Sequence, residues 1–158
     1  MKNEIKSQLD NLEIKYKSII HPAVFTCDEA DKLNADIKGM HAKSLLVKTK
    51  KSKNFYMIIL PCNERVDRNK IKELLKEHIS FAYPEELWEL LELKPGSVSP
   101  LSIIKDKKNK ITLIFNKKVY NSEILNFHPG INTETLEIKN EEFKKFLKTL
   151  KNKILIFE

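Results

Sequence analysis

Three short segments of the chain contain the residue types best suited to chemistry. The first leads into Lys43, the second is a loop at 95–100 bounded by proline, and the third carries His128. A lysine cation and backbone N–H groups beside a glycine can bind an anion or stabilise an oxyanion. Because the segments lie far apart in sequence, only the fold could combine them into one active site.

The lysine segment, Gly39-Met40-His41-Ala42-Lys43, precedes a short apolar stretch. If a strand begins at Lys43, then Leu45 and Val47 project from the same face as the lysine. The ammonium group would then be half-buried or would line a pocket. From the pattern alone, the favoured interpretation is an edge lysine whose stem packs while its charge reaches water.

The loop Pro95-Gly96-Ser97-Val98-Ser99-Pro100 combines two rigid positions with one permissive position. The prolines narrow the backbone freedom, while Gly96 permits a positive φ angle or a close approach. Its N–H groups could converge on a developing oxyanion. The alternative, favoured by the pattern alone, is a turn that ends a helix after Leu93.

Histidines supply the remaining candidates. His128 lies in Asn126-Phe127-His128-Pro129, and a lone histidine near a strand end is more often structural than catalytic. His21 precedes Pro22, where packing or substrate admission is a better interpretation than proton transfer. His41 and His78 are assigned no chemistry.

Length and composition indicate one domain over residues 1–158. With 41% hydrophobic residues the chain can build a core. No stretch approaches the roughly 20 apolar residues of a membrane helix. The start of the chain also lacks the apolar core of a signal peptide. We therefore expect a soluble, cytoplasmic protein with no membrane contact, and a monomer by default.

The net charge of +7 is compatible with a nucleic-acid partner but does not establish one. Only Arg65 and Arg68 are arginines among 29 basic residues. The lysine-rich segments 48–53 and 105–110 are interpreted as solvated hairpin tips. The alternative is that either tip makes a diffuse, salt-sensitive contact with an RNA backbone.

The two cysteines, Cys27 and Cys62, have no neighbouring cysteine or histidine at metal-ligand spacing. The expectation is two small, partly buried side chains without a disulfide. No metal and no organic cofactor is predicted.

The apolar patterning predicts an α/β (α+β) fold, a mixed and mostly antiparallel sheet with helices packed around it. Capping residues and 3.6-residue periodicity predict helices over 4–12, from Thr26 to about Leu33, and after Asp67, Pro84 and Asn140. Trp88, with Leu87, Leu90 and Leu91, is expected to supply the apolar surface of the helix after Pro84. Strand-forming runs lie at 44–47, 55–60, 111–115, 124–127, 133–138 and 154–157.

Taken together, the three segments and their order closely resemble the free-standing prolyl-tRNA editing deacylases of the YbaK/ProX type. The likeness extends over nearly the whole chain, including the segments 60–67 and 80–85. It implies the fold of that editing domain. It also implies hydrolysis of the ester that joins a wrong amino acid to tRNA.

The resemblance gives each segment a role. Lys43 occupies the place of the family's essential lysine, although Ser44 stands where the family usually has asparagine. The spacing from Gly96 to Pro100 matches the family's GxxxP loop, which lies against the aminoacyl ester. His128 corresponds to a histidine that shapes the amino-acid pocket. The remaining substrate-binding residues implied are Ser44, Pro100, His21, Leu45, Val47, Ser97, Val98, Ser99, Asn126 and Thr133.

The implied reaction needs no strong nucleophile, because the ester is already activated. Backbone N–H groups around Gly96 would stabilise the oxyanion, Lys43 would position the terminal adenosine or the ester, and a ribose hydroxyl would activate water. The expected substrate is Ala-tRNA(Pro), the partner is the acceptor end of tRNA(Pro), and prolyl-tRNA synthetase is a further expected contact.

Three alternatives remain open. The first is a family member that removes cysteine or another small amino acid. The second is a non-catalytic tRNA-binding module on the same fold. The third is a general RNA-binding domain, which would expose aromatic residues on a sheet. The aromatics Phe81, Phe115, Phe143 and Phe146 instead fall at positions typical of a core.

Overall fold

The computed structural model describes residues 2–23 and 39–158. Its strands are β1 (Lys17–Ile20), β2 (Met40–Thr49), β3 (Phe55–Pro61), β4 (Ile79–Phe81), β5 (Ile111–Asn116), β6 (Ile124–Phe127), β7 (Glu134–Lys139) and β8 (Ile154–Phe157). Its helices are α1 (Lys2–Asn11), α2 (Arg68–Leu75), α3 (Pro84–Leu91), α4 (Lys117–Tyr120) and α5 (Asn140–Lys148), with a 3₁₀ helix at Pro100–Lys105.

The strands form one mixed sheet in the order β1-β7-β6-β2-β3-β5-β8, with β4 paired to β2 beside this path. Four of these strand pairs are antiparallel. The other three, β2 with β6, β3 with β5 and β5 with β8, are parallel. The predicted fold class, a mixed and mostly antiparallel sheet with helices around it, is confirmed.

Both faces of the central strands are buried, which explains their long apolar runs. In β3, Met57 and Ile59 belong to the larger core, while Ile58 and Leu60 belong to a second cluster on the opposite face. Helices α1, α3 and α5 contribute to the larger core, and α2 places Ile71 in the second cluster.

Several local predictions are confirmed. Strands β6 and β8 have the predicted bounds. Asp67 is the N-cap of α2, with its carboxylate accepting hydrogen bonds from the backbone N–H groups of Asn69 and Lys70. Pro84 occupies the first turn of α3. The helix predicted from Thr26 to Leu33 lies outside the described residues.

Other local predictions need correction. Asn140 does not cap α5, since its side-chain amide donates to the carbonyl oxygens of Tyr120 and Ser122 instead. The segment 48–53 lies at the hairpin between the antiparallel strands β2 and β3, as predicted. The segment 105–110 is not a hairpin tip, because it joins the 3₁₀ helix to β5. Neither segment is fully solvated. Lys48 forms an ion pair with Glu86 at 3.0 Å, and Lys105 forms one with Glu92 at 3.1 Å.

None of the helices in the described part of the chain is long and apolar enough to cross a membrane.

Candidate active site

Strand β2 is unpaired on one side along its middle, and this opening creates the candidate site. Its first residues, Met40 and His41, pair with β6, and its last, from Val47 to Thr49, pair with β4. Between them, residues 42–46 hydrogen-bond to β3 on the other side. On the open side no strand pairs with this stretch in the described structure, so side chains from both faces can reach one cavity.

A cavity of about 460 Å³ occupies this opening, which is within the range of small-molecule sites. It is lined by β2 residues, by the loop at 95–98, by the end of β6 and by the start of β7. Of the predicted site residues, those that line it are His21, Lys43, Ser44, Leu45, Gly96, Val98, Asn126 and His128. The fold therefore unites the three segments singled out in the sequence.

Lys43 is half-buried in this cavity and has no hydrogen-bond or salt-bridge partner among residues 2–23 and 39–158. Burial lowers the pKa of Lys43 below its ordinary value, and the nearby Arg65 cation lowers it further, while Glu64 partly offsets both. A partly desolvated ammonium group without a counter-ion gains more than a solvated one from an incoming polar group.

The loop at 95–98 approaches the cavity from the opposite side. Gly96 has a φ of +86°, as its residue type allowed, and a Cβ atom placed there would meet no atom within 4 Å. The backbone N–H of Ser97 donates to the carbonyl oxygen of Lys94 at 3.1 Å. That bond closes a turn around Gly96.

Three histidines, His21, His41 and His128, line the cavity, and the first and last of them differ in their hydrogen bonding. His21 is held at both ring nitrogens, with Nδ1 2.8 Å from the carbonyl oxygen of Pro22 and Nε2 2.8 Å from the hydroxyl of Thr135. Since a carbonyl only accepts, Nδ1 carries the proton. Burial lowers the pKa of His128 to about 4, and the neighbouring His21 adds to this effect. The His128 ring is therefore neutral at pH 7.

Glu134, at the start of β7, also lines the cavity and was not singled out in the sequence. Its Oε1 accepts hydrogen bonds from Lys6 at 2.6 Å and from Ser18 at 2.8 Å. Its Oε2 is buried and has no hydrogen-bond partner among the described residues. Burial alone would raise the pKa of Glu134, but the bonds from Lys6 and Ser18 outweigh it and hold the pKa below the ordinary value.

Five predicted site residues do not line this cavity, and one of them is the exposed Thr133. Val47 belongs to the second core cluster, and Ser97 lines a neighbouring cavity. Ser99 is the N-cap of the 3₁₀ helix, where its hydroxyl accepts from the N–H of Leu101, and Pro100 is buried in the first turn. For the last two, a capping serine followed by proline is the local signal that favours a helix start over a binding role.

The aromatic residues also need correction. Phe115, Phe143 and Phe146 are buried as expected, but Phe81 is 52% exposed and lines the cavity. Trp88, assigned to the apolar surface of α3, is 57% exposed. Phe81 and Trp88 are therefore exposed aromatic side chains, and the sequence argument against nucleic-acid contacts loses that support.

Cys62 is disulfide-bonded, which contradicts the expectation of unpaired cysteines. Cys27 lies outside the described residues. Within residues 2–23 and 39–158, no group of three or more histidine, cysteine or acidic side chains is arranged to hold a metal ion.

Comparison with known proteins places this geometry in a family. The model of the aminoacyl-tRNA editing domain matches residues 21–146. The prolyl-tRNA editing protein ProX of Acetoanaerobium sticklandii is 25% identical over 148 residues, covering 93% of this chain and 90% of that protein. The prolyl-tRNA synthetase associated domain-containing protein 1 of Mus musculus is 28% identical over 152 residues, covering 94% and 90%.

A solved structure shows the same architecture. The crystal structure of a candidate trans-editing enzyme for prolyl tRNA synthetase superposes with a TM-score of 0.76 at 18% identity, covering 98% of this chain and 94% of the other. These matches confirm the predicted fold and the predicted class of activity, an aminoacyl-tRNA editing hydrolase. Because the family model spans most of the sequence, the chain belongs to the aminoacyl-tRNA editing domain family.

Proposed function

We propose that this protein is a trans-editing deacylase that hydrolyses the ester of mischarged Ala-tRNA(Pro). The observation that carries the proposal is the position of Lys43, an unpaired and half-buried cation in the same cavity as the Gly96 loop. The name of the Acetoanaerobium sticklandii relative, a prolyl-tRNA editing protein, supports the choice of tRNA.

The proposed reaction is attack of water on the carbonyl carbon of the aminoacyl ester. The water oxygen forms the new bond, the carbonyl oxygen becomes the oxyanion of a tetrahedral intermediate, and the bond to the ribose oxygen then breaks. The proton lost by water passes to that leaving oxygen by way of the neighbouring ribose hydroxyl. The products are free alanine and a tRNA with an intact terminal ribose.

In this mechanism the protein supplies position and charge. The backbone N–H of Gly96 donates to the oxyanion, because the Ser97 N–H is already bonded to Lys94. Lys43 donates a charge-assisted hydrogen bond to the ester or to the terminal ribose. Both groups are preorganised, one by the turn and the other by strand β2, so little reorganisation is needed in the transition state.

The remaining cavity residues act on the amino acid itself. The neutral ring of His128 shapes the pocket without repelling the positively charged amino group of the substrate. Glu134 is the acidic residue among the described lining residues, and its buried Oε2 has no hydrogen-bond partner among the described residues. We propose that Glu134 binds the substrate's α-ammonium group through a charge-assisted hydrogen bond.

Selection of alanine over proline follows from size. A synthetase pocket distinguishes amino acids by only about 1–3 kcal/mol per methylene, so a proline site admits some alanine. A second pocket that accepts alanine but is too small for proline removes the error and spares the correct product. Leu45, Ser44 and His128 are the lining residues to which we assign this size limit.

The proposal also covers the partners, the location and the oligomeric state of the protein. The partner is the acceptor end of tRNA(Pro), with a transient contact to prolyl-tRNA synthetase. We assign the activity to a cytoplasmic monomer.

The test is hydrolysis of Ala-tRNA(Pro), Cys-tRNA(Pro) and Pro-tRNA(Pro) by the wild-type protein. We expect rapid loss of alanine and no acceleration with proline. A preference for cysteine would retain the mechanism and replace the substrate. Hydrolysis of none of the three, with tRNA binding retained, would contradict the proposal and favour the binding module to which Ser44 gives some support.

A further inference from the structure

A second cavity of about 410 Å³ lies on the other side of the Gly96 loop. It shares Pro95, Gly96 and Asn132 with the candidate active site. Its own walls come from the end of α3 and from the segment 130–131. The two cavities are therefore neighbours separated by one short loop.

Trp88 forms part of the wall of this second cavity. The buried face of α3 is made by Leu87 and Leu91, and Trp88 is 57% exposed. An indole on the solvent side of a helix does little for the core. Its position beside a cavity instead suggests a contact surface.

Trp88 differs from the other exposed aromatic residues nearby. Lys48 lies over the ring of Tyr83 at 4.3 Å, and Arg68 lies over the ring of Phe81 at 5.3 Å. In the described part of the chain no cation covers the indole of Trp88. Its aromatic face is available for stacking.

The space between the cavities is open at Gly96. A Cβ atom there would meet nothing within 4 Å, so a group that joins two occupants can pass over the loop. Charge at the rim is also suitable. Lys94 is exposed, while Glu92 is paired with Lys105 at 3.1 Å. Lys94 is therefore a rim cation that a phosphate can reach.

We propose that this second cavity binds the terminal nucleobase of the tRNA, stacked on Trp88, while the ester on the same nucleotide lies in the first cavity. The inference rests on the proposed function, because an aminoacyl-tRNA carries its amino acid on the ribose of that nucleotide. The base and the ester then lie on opposite sides of one ribose, and that ribose lies over Gly96 between the two cavities. Lys94 faces the adjoining phosphate.

Stacking can be measured without catalysis, because Trp88 is the only tryptophan in the chain. The probe is the trinucleotide CCA, added to the full-length protein while indole emission is recorded. The matched control is the same oligonucleotide with an abasic last residue. We expect saturable quenching by CCA and at least tenfold weaker quenching by the control. Equal quenching by both, or no quenching by either, would overturn the proposal.

The kinetic test uses Trp88→Ala, Trp88→Phe and, as a matched control, Tyr83→Ala. Tyr83 is similarly exposed and flanks the same helix, but it lines neither cavity. We expect Trp88→Ala to raise KM for aminoacyl-tRNA about 5- to 100-fold with kcat retained, as loss of one stacked base predicts. Trp88→Phe should restore most of the affinity, and Tyr83→Ala should leave KM unchanged.

The outcomes distinguish this inference from the proposed function. An unchanged KM in Trp88→Ala, with normal hydrolysis by the wild type, would refute the stacking site and leave the deacylase intact. Base-dependent quenching in a protein that hydrolyses no aminoacyl-tRNA would refute the deacylase and support the stacking site. Quenching by a synthetase-derived peptide but not by CCA would assign the cavity to a protein partner and contradict the inference.

Discussion

Strand β2 carries two lysines, and the surroundings of the two differ. Lys48 forms an ion pair with both carboxylate oxygens of Glu86 at 3.0 Å and lies over the ring of Tyr83. Lys43, five residues earlier, has no such partner in the described structure and lines the cavity. One lysine is part of the fold, and the other is available to a ligand.

Two glycines repeat this contrast. Gly39 and Gly96 both have positive φ angles, +101° and +86°. A Cβ atom on Gly39 would lie 2.6 Å from the backbone oxygen of Ile124, whereas one on Gly96 would meet open space. The first glycine permits the close pairing of β2 with β6, and the second permits access to the cavity. In both pairs, residue type alone does not distinguish the structural member from the one that lines the cavity.

The largest effect on stability is expected at Gly39. In Gly39→Ala the methyl group collides with backbone that a side-chain movement cannot relieve, and the positive φ angle adds strain. We expect the free energy of unfolding to fall by about 2–4 kcal/mol. Urea unfolding of the variant and the wild type measures it, and a loss below about 0.5 kcal/mol would contradict the close approach.

The next largest effect is expected at Glu134, which has one paired and one unpaired oxygen. Replacing it in Glu134→Gln removes the ion pair with Lys6 and should cost about 1.5–3 kcal/mol at pH 7. The folded pKa of Glu134 lies below the ordinary value of 4.5. Its stabilisation is therefore complete above that value and is lost as the pH falls through the folded pKa.

This prediction is tested by measuring the free energy of unfolding of the wild type and of Glu134→Gln, both at pH 7 and in acid. The difference between wild type and Glu134→Gln should shrink as the pH falls. A difference that stays constant with pH would show that the carboxylate charge is not the source of the stability.

A smaller loss of stability, about 1 kcal/mol, is expected for Gly96→Ala, because the only penalty is the positive φ angle. Its effect on hydrolysis should be larger, at least about tenfold, since the methyl group enters the space above the loop. Comparing its melting temperature with Gly39→Ala and its rate with wild type separates the two effects. Full activity in Gly96→Ala would show that the substrate does not occupy the space above the loop.

A still smaller loss of stability is expected for Lys48→Met. The ion pair with Glu86 is partly exposed to solvent, and such pairs contribute about 0.2–1 kcal/mol. The loss should shrink further at high salt. Glu86→Gln is the matched variant, and the double variant should cost no more than the larger single loss if the pair is the source.

The sequence predicted the regular parts of this fold because their signals are local. β6 and β8 are runs of strand-forming residues with the predicted bounds, and Asp67 caps α2. The three-residue strand β4 was missed, since it exists only through pairing with the end of β2. Asn140 has the residue type of a cap, but two carbonyl oxygens distant in sequence bind its amide.

Part of the candidate site was also predicted, but that prediction rested on the family resemblance and not on local signals. The resemblance to an editing family selected Lys43, Gly96 and His128, and the fold brings all three to one cavity. Glu134 was missed because an acidic residue at a strand start is ordinarily exposed, and its burial depends on Lys6 from α1. The exposure of Trp88 was missed because helical periodicity does not reveal which apolar side chains of a helix the rest of the protein covers.

The most direct test of the central claim compares Lys43→Met with Lys48→Met in single-turnover hydrolysis of Ala-tRNA(Pro). We predict that Lys43→Met lowers the rate at least about 100-fold, as removal of a transition-state donor does, with no loss of thermal stability. Lys48→Met should keep a rate close to wild type, but its free energy of unfolding should be lower than that of the wild type. Equal rates in the two variants would contradict the assignment of the unpaired lysine to the chemistry.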